Sequence, residues 1–145
     1  MNSKNKKVFI VYGPPLSGKT TYVKNRANDG DLVVDMDYIY QAISGLDLYT
    51  KPNNLLLNAK GLRDELINQI KVRYGDWETA YIIGGYPDKY ERERLAKQLG
   101  AELVFCECSL EECISRVKGN RPLSWIEYIY RWFEKNPQEP PCLGL

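Results

Sequence analysis

Histidine is absent from this 145-residue chain. Its absence excludes histidine-based catalytic triads, histidine general bases and histidine metal ligands. An excess of charge of one sign is also lacking, because 20 basic and 19 acidic residues leave a formal net charge of +1. A chain with so little net charge has no overall positive field to attract a polyanion from a distance, so any contact with nucleic acid has to be local.

Long apolar runs are lacking as well. No stretch approaches the roughly 20 apolar residues of a membrane-spanning helix, and residues 1–4 lead into an apolar strand segment without the core of a signal peptide. We therefore expect a cytoplasmic protein with no membrane partner. Its four cysteines, Cys106, Cys108, Cys113 and Cys142, are expected to be reduced thiols. Their spacing matches no common zinc module, which favours buried thiols over metal ligands.

The order of apolar and helical segments predicts one α/β domain spanning residues 1–145. Strands are predicted at residues 7–12, 31–35, 79–84 and 102–108. Helices are predicted at residues 18–27, 37–44, 53–74, 88–99, 109–118 and 124–133, with Asp37, Ser109 and Ser124 as N-terminal caps. This alternation predicts a short, mostly parallel sheet covered by helices on both faces. The proline-rich tail, residues 136–145, is expected to be irregular.

A glycine-rich segment, residues 13–20, lies between the first predicted strand and the first predicted helix. Its sequence, Gly-Pro-Pro-Leu-Ser-Gly-Lys-Thr, has the Gly-x4-Gly-Lys-Thr spacing of a phosphate-binding P-loop. Glycines permit close approaches that a side chain would block, so successive amides and the helix N-terminus face the phosphates. Lys19 is expected to reach the outer phosphates, and the Thr20 hydroxyl to bind Mg²⁺. The residues expected to contact the nucleotide are Gly13, Pro14, Pro15, Leu16, Ser17, Gly18, Lys19, Thr20 and Thr21.

Two missing motifs narrow the class of P-loop protein. The third predicted strand ends in Ile-Ile-Gly-Gly, without the paired acids of a motor-type ATPase, and no Asn-Lys-x-Asp segment is present to read guanine. Acids instead follow the second predicted strand, at the sheet edge where doubly wound folds bind ligands. We expect Asp37 to accept a proton from an acceptor hydroxyl and Asp35 to assist at the metal. The plainer alternatives are a helix cap for Asp37 and a turn residue for Asp35.

The order of these parts resembles the kinase domain of phage-type polynucleotide kinases. It is also similar to small phage-encoded P-loop kinases that act on nucleotides or modified DNA bases. The resemblance spans nearly the whole chain and rests on the glycine-rich segment, on residues 34–43 and on an arginine-bearing helix after the fourth strand. It implies ATP as the donor and a general-base role for Asp37. That family places an acceptor-holding arginine about three residues later, where this chain has Tyr40.

In such kinases the helix after the fourth strand leads into a lid that closes over the transferring phosphates. Residues 114–123 match that outline, with Arg116 and Arg121 expected to contact the nucleotide and Gly119 to permit movement. An arginine at the γ-phosphate stabilises the charge of the transition state. The alternative for both arginines is a solvated basic helix end.

Weaker interpretations concern the acceptor. Gly84 and Gly85 either leave space for a base beside Tyr86 or form a plain turn. Stacking on bases is expected from Tyr38, Tyr40 and Tyr49, whereas Trp125, Tyr128, Ile129 and Trp132 are expected in the core. Contacts with backbone phosphates are considered for Lys4, Lys6, Lys7, Arg92, Arg94 and Lys97, each of which is otherwise an ordinary solvated charge.

The leading hypothesis is an ATP- and Mg²⁺-dependent kinase that phosphorylates a hydroxyl of a nucleic-acid end, a modified DNA base or a nucleotide. A kinase of a free nucleoside, a free nucleotide or another small acceptor is the first alternative. A non-catalytic module that uses ATP binding as a switch is an alternative of another class. The sequence leaves the acceptor and the oligomeric state open.

Overall fold

The computed structural model of the chain describes residues 5–117 and 121–136. Within them lie four strands and six α-helices: β1 (Lys7–Tyr12), α1 (Lys19–Arg26), β2 (Leu32–Asp35), α2 (Met36–Ser44), α3 (Leu56–Lys71), β3 (Thr79–Gly84), α4 (Lys89–Leu99), β4 (Glu102–Phe105), α5 (Leu110–Val117) and α6 (Trp125–Lys135). A 3-10 turn at Asn53–Leu55 leads into α3. The predicted α/β class is confirmed. In the described ranges, no helix combines the length and apolarity needed to cross a membrane.

The four strands form one parallel sheet in the order β2-β3-β1-β4. β1 pairs along its whole length with β3, and its second half pairs with β4. The chain leaves β1 through α1 toward one edge of the sheet and leaves β3 through α4 toward the other. Two adjacent strands whose connections diverge in this way leave a crevice at their carboxyl ends. The loops that follow β1 and β3 therefore open into the same space.

Both faces of the sheet are covered, because alternate residues of the central strands point to opposite sides. Ile10 and Ile82 join an apolar cluster with α2, α3 and α4, whereas Val11 and Ile83 join a second cluster with α1. The predicted helical cover on both faces is thereby confirmed. A third cluster, centred on the pair α5 and α6, includes Cys113.

Local chemistry sets several helix ends where the sequence predicts them. Asp88 caps α4 by accepting bonds from the next amides of the chain. Ser109 Oγ accepts the Glu112 amide at 3.1 Å, which confirms the predicted capping box of α5. α2 and α4 each end at a glycine in the left-handed conformation, Gly45 and Gly100 respectively, as expected for C-caps.

Two predicted caps are wrong. Asp35, not Asp37, caps α2, because the helix begins at the residue immediately after β2 and the Asp35 side chain accepts the Asp37 amide. Ser124 makes no side-chain cap bond, since its backbone already has the helical conformation. The fourth strand is also shorter than predicted and ends at Phe105, because its partner β1 ends at Tyr12.

Arg92 of α4 is a buried structural residue rather than a phosphate contact. It is 2% exposed, and its Nη1 donates to the carbonyls of Tyr86 and Pro87 and to Asn136 Oδ1, each at 3.1 Å. Its guanidinium lies 4.4 Å from the centre of the Tyr12 ring. Arg92 therefore joins the turn after β3 to the end of α6.

Replacement of Arg92 should lower the stability of the folded protein. We expect Arg92→Met to lower the free energy of unfolding by about 3 kcal/mol, because buried carbonyl groups lose their donor. Arg94, exposed on the same helix, gives the matched control, and Arg94→Met should change that free energy by less than about 0.5 kcal/mol. Urea unfolding curves measure both values. Equal midpoints for the two variants would contradict the structural role.

Candidate functional site

The carboxyl ends of β1, β2 and β3, with the segments that follow them, line one cleft at the edge of the sheet, with a volume of about 1030 Å³. Its walls are residues 15–21, residues 35–37 and residues 83–87, together with side chains of α6. A space of this size suits a ligand as large as a nucleotide.

The cleft concentrates positive charge. Among the described residues, eight basic and three acidic side chains line it: Lys19, Lys24, Lys51, Arg63, Arg116, Arg121, Arg131 and Lys135 against Asp35, Asp37 and Glu91. Because the whole chain has a formal charge of only +1, the remainder of the protein is net negative. A cleft that focuses one sign of charge attracts ligands of the opposite sign. The lining therefore favours an anion.

The glycine-rich loop, residues 13–20, requires glycine at two positions. A Cβ on Gly13 would lie 2.5 Å from the carbonyl oxygen of Cys106, so the chain that leaves β4 can pass beside the loop only because residue 13 is glycine. Gly18 has φ of 93° and opens α1, a conformation that favours glycine. Gly13 itself and the buried Pro14 do not line the cleft, whereas residues 15–21 do. Gly13 and Pro14 pack within the protein, and their contacts with a nucleotide stay a prediction.

Leu16 adopts a left-handed backbone conformation, with φ of 65°, which a branched residue rarely occupies. Its side chain packs into the apolar cluster of α5 and α6, and its carbonyl accepts a hydrogen bond from Arg116 Nη1 at 2.7 Å. Arg116 Nη2 also lies 3.6 Å from Glu112. The predicted lid residue Arg116 therefore lies in the cleft and binds the glycine-rich loop directly.

Lys19 folds back over the same loop. Its Nζ donates to the carbonyls of Gly13 at 3.0 Å and Pro14 at 2.7 Å, and lies 3.5 Å from Ser17 Oγ. Desolvation of the ammonium lowers the pKa of Lys19 from 10.5 to about 8, although nearby Asp35 and Asp37 act in the opposite direction. The loop thus holds a desolvated positive charge whose hydrogen-bond partners are neutral oxygens.

Thr20 and Asp35 lie side by side, as a magnesium site would require. Thr20 Oγ1 donates to Asp35 Oδ2 at 3.3 Å, while Asp35 Oδ1 accepts the Asp37 amide at 2.9 Å. Asp35 is 5% exposed, and burial raises its pKa above the ordinary value for a carboxyl group. Within residues 5–117 and 121–136, no group of three or more acidic or cysteine side chains could hold a metal ion. A hydroxyl and one carboxylate nevertheless fit Mg²⁺, which usually completes its shell with phosphate oxygens and water.

Asp37 presents its carboxylate to the cleft, because capping of α2 is performed by Asp35. Its side chain is 20% exposed, and Lys51 Nζ lies 2.8 Å from Oδ1. The contact is one of charge, since the buried Oδ1 has no aligned hydrogen-bond partner in the described part of the chain. Asp37 is therefore oriented by a cation, and its carboxylate can accept a hydrogen bond from a ligand in the cleft.

Arg121, the second predicted lid residue, also lines the cleft. Its guanidinium carbon lies 3.6 Å from the centre of the Tyr49 ring and 5.5 Å from that of Trp125. Gly119, which was expected to permit movement, lies outside the described residues, as do Lys118 and Asn120. Of the three tyrosines predicted at the acceptor entrance, Tyr49 lines the cleft. Tyr38 does not.

Tyr40 points into the core and is 4% exposed. The prediction that Tyr40 stacks on a base is therefore wrong. A side chain at this position faces away from the cleft, where the family that the chain resembles has an acceptor-holding arginine. The Tyr86 ring packs directly against Gly84, so a Cβ on residue 84 would lie only 2.5 Å from the ring. Gly85 accepts a hydrogen bond from Trp132 Nε1 at 2.8 Å. These glycines accommodate the protein's own aromatic rings rather than an acceptor base.

The aromatic stripe of α6 divides between core and cleft. Ile129 and Trp132 are buried as predicted. Trp132 also borders the cleft, as do Trp125, Tyr128, Arg131 and Lys135. The sequence contained a pattern that indicates a shared polar face, because residues 128, 131 and 135 lie on one side of a helix. No local pattern indicated Lys51 or Arg63, which reach the cleft from distant parts of the chain.

The other basic residues considered for phosphate contacts lie elsewhere. The Lys6 ammonium contacts the Gly75 carbonyl and lies 4.4 Å from the centre of the Trp77 ring, at the amino-terminal end of the sheet. Lys7, Arg94 and Lys97 do not line the cleft, and Lys4 is outside the described residues. Three cysteines, Cys106, Cys108 and Cys113, are buried as predicted, whereas Cys142 lies outside the described residues.

Comparison with known proteins bears on the architecture. No protein-family model matches the chain, and no curated protein sequence matches it either. Its structure is similar to a chain in the crystal structure of the AvrRxo1-ORF1:-ORF2 complex, with a TM-score of 0.61 and 15% sequence identity. The similarity supports the α/β fold. The match covers 89% of this chain and 46% of that chain, so this protein spans about half the length of its neighbour.

The lowered pKa of Lys19 predicts how anion binding depends on pH. A phosphate anion prefers the charged amine, so affinity should be constant below pH 8 and fall as pH rises through about 8, by up to about tenfold per unit. Binding near pH 9 should also take up close to one proton. Titration calorimetry of Mg·ATP, in buffers of different ionisation enthalpy, measures both quantities.

Lys19→Arg is the matched control, because arginine stays charged throughout this range. The affinity of that variant should not fall between pH 8 and pH 10. A wild-type affinity that is equally independent of pH, without proton uptake, would show that Lys19 does not contact the anion.

Proposed function

We propose that this protein is an ATP-dependent kinase that transfers the γ-phosphate to a hydroxyl group of a phosphate-bearing acceptor, such as a nucleotide, a nucleic-acid end or a modified DNA base. One observation carries the proposal. The cleft that contains Lys19 and Thr20 also contains the Asp37 carboxylate, which Lys51 contacts and which does not cap α2. A cation for phosphates and a carboxylate for a hydroxyl are the two chemical requirements of such a transfer.

The donor side of the proposal is a P-loop. Backbone N–H groups of residues 16–20, at the N-terminus of α1, would bind the phosphates of ATP. Lys19 would exchange its carbonyl partners for phosphate oxygens, and Arg116 and Arg121 would neutralise charge that spreads over the γ-phosphate. Thr20 and Asp35 would hold Mg²⁺, which, when bound, offsets the negative charge of the phosphates. The positive lining of the cleft supports this assignment.

The acceptor side of the proposal centres on Asp37. An acceptor hydroxyl that donates to its carboxylate would be oriented toward the γ-phosphorus. As the new oxygen–phosphorus bond forms, the bond to the β–γ bridging oxygen breaks, ADP leaves, and the hydroxyl proton passes to Asp37. Because phosphoryl transfer depends mainly on positioning and charge neutralisation, a carboxylate is a sufficient base.

The lining of the cleft favours a phosphate-bearing acceptor over a neutral sugar. Arg63, Arg131 and Lys135 lie in the same cleft as Asp37, and Trp125 and Tyr128 add aromatic faces. Basic side chains bind phosphates, and aromatic faces stack on bases regardless of sequence. A free nucleotide and a nucleic-acid end both carry these groups, and the assay below distinguishes them.

The proposal predicts the behaviour of Asp37→Asn. The variant should bind Mg·ATP within about twofold of wild type and lose at least about 100-fold in transfer rate, because the amide cannot accept the hydroxyl proton. The assay follows label from γ-labelled ATP to 5′-hydroxyl oligonucleotides, nucleosides, nucleotides and hydroxymethylated DNA. Asp76→Asn removes an exposed carboxylate outside the cleft and should retain full activity.

Two outcomes would contradict the proposal. If wild-type protein binds Mg·ATP tightly and labels none of these acceptors, the site serves as a nucleotide-dependent switch. If Asp37→Asn transfers phosphate at the wild-type rate, Asp37 is not the base.

A further inference from the structure

The loop between α2 and α3, residues 46–52, reaches two of the charged groups to which the proposed function gives roles. Lys51 contacts Asp37, and Tyr49, two residues earlier, contacts Arg121. We propose that Lys51 and Tyr49 are positioning residues, through which this loop sets the Asp37 carboxylate and the Arg121 guanidinium relative to each other. The chemical roles of Asp37 and Arg121 rest on the proposed function, whereas the contacts that hold the two groups do not.

Lys51 is held between a carboxylate and an aromatic face. Its Nζ lies 2.8 Å from Asp37 Oδ1 and 5.2 Å from the centre of the Trp125 ring. The Lys51 side chain is 39% exposed, so the ammonium lies at the rim of the cleft. The Lys51 ammonium therefore makes an ionic contact with Asp37 and a cation–π contact with Trp125. The direction of the Asp37 carboxylate is thereby linked to the position of α6.

Tyr49 is held in a backbone conformation that it would not adopt by itself. Its φ of 76° is in the left-handed region, which is unfavourable for an aromatic residue and persists only where contacts compensate for it. Those contacts are the Trp125 ring, packed edge-on at 5.7 Å between centres, and the Arg121 guanidinium over its own ring at 3.6 Å. The conformation of the loop thus depends on the same arginine that it positions.

Tyr49 contacts Arg121 through the flat face of the guanidinium. The N–H groups of a guanidinium project in its plane, away from a ring stacked on that face. Tyr49 therefore positions Arg121 without using the N–H groups with which an arginine binds an anion. Lys51 positions Asp37 through charge, because its ammonium lies close to Oδ1 without forming an aligned hydrogen bond.

Trp125 connects the two pairs. Lys51, Tyr49 and Arg121 all lie against its ring, at 5.2, 5.7 and 5.5 Å respectively. A change in one pair should therefore alter the surroundings of this ring even where the changed residue does not touch it. This consequence can be tested without an acceptor and without catalysis.

The first test is a double-mutant cycle read from the indole N–H resonance of Trp125 in ¹H–¹⁵N spectra, with the resonance assigned by Trp125→Phe. Asp37→Asn should shift it, because Lys51 loses its charged partner. In a Lys51→Met background the same substitution should shift it by less than half as much. Equal shifts in the two backgrounds, or no shift in either, would overturn the proposal.

The second test measures transfer to an acceptor that wild-type protein labels. Tyr49→Gly removes the ring while favouring the native φ, so the loop should stay folded, and kcat should fall roughly tenfold. Lys51→Met should lower kcat by a similar factor, with KM for Mg·ATP within about threefold of wild type. Tyr49→Phe and Lys51→Arg keep the ring and the charge, and should retain at least about half of the activity.

Lys60→Met removes an exposed lysine of α3 outside the cleft and should leave kcat unchanged. Full activity of Tyr49→Gly and Lys51→Met would overturn the positioning roles, while wild-type transfer would leave the proposed function intact. If wild-type protein labels no acceptor, the proposed function fails, and the indole resonance alone decides whether the loop links the two groups.

Discussion

The desolvated ammonium of Lys19 is the feature on which the rest of the site depends. Its hydrogen bonds go to two carbonyls and a hydroxyl of its own loop, all of them neutral groups. Burial without a charged partner is unfavourable, as the lowered pKa of Lys19 expresses. An anion brought against the loop would relieve that cost. The arrangement is therefore better suited to binding a phosphate than to stabilising the protein alone.

Features decided by neighbouring residues could be predicted from the sequence. The glycine-rich loop, the strands on either side of the cleft and the caps at Ser109 and Gly100 all follow from local patterns. The parallel sheet follows from the alternation of strands and helices. The proximity of Thr20 to Asp35 was likewise expected, because the carboxyl ends of parallel strands meet at one edge.

Features decided by contacts between distant residues could not be predicted. Whether Asp35 or Asp37 caps α2 depended on a two-residue difference in where the helix begins after β2. Tyr40 and Arg92 carry no local sign of burial, and each is held by residues far away in the chain. Lys51 reaches Asp37 only because the 46–52 loop packs on Trp125 of α6, a contact that crosses more than half of the chain.

The central claim, that the glycine-rich loop binds a polyphosphate, is tested most directly by a crystal structure with Mg²⁺ and a non-hydrolysable ATP analogue. We expect the phosphates against the backbone N–H groups of residues 16–20. Lys19 Nζ should have left the carbonyls of Gly13 and Pro14 for a phosphate oxygen, at about 2.8 Å. An analogue bound elsewhere, with Lys19 still on those carbonyls, would contradict the account.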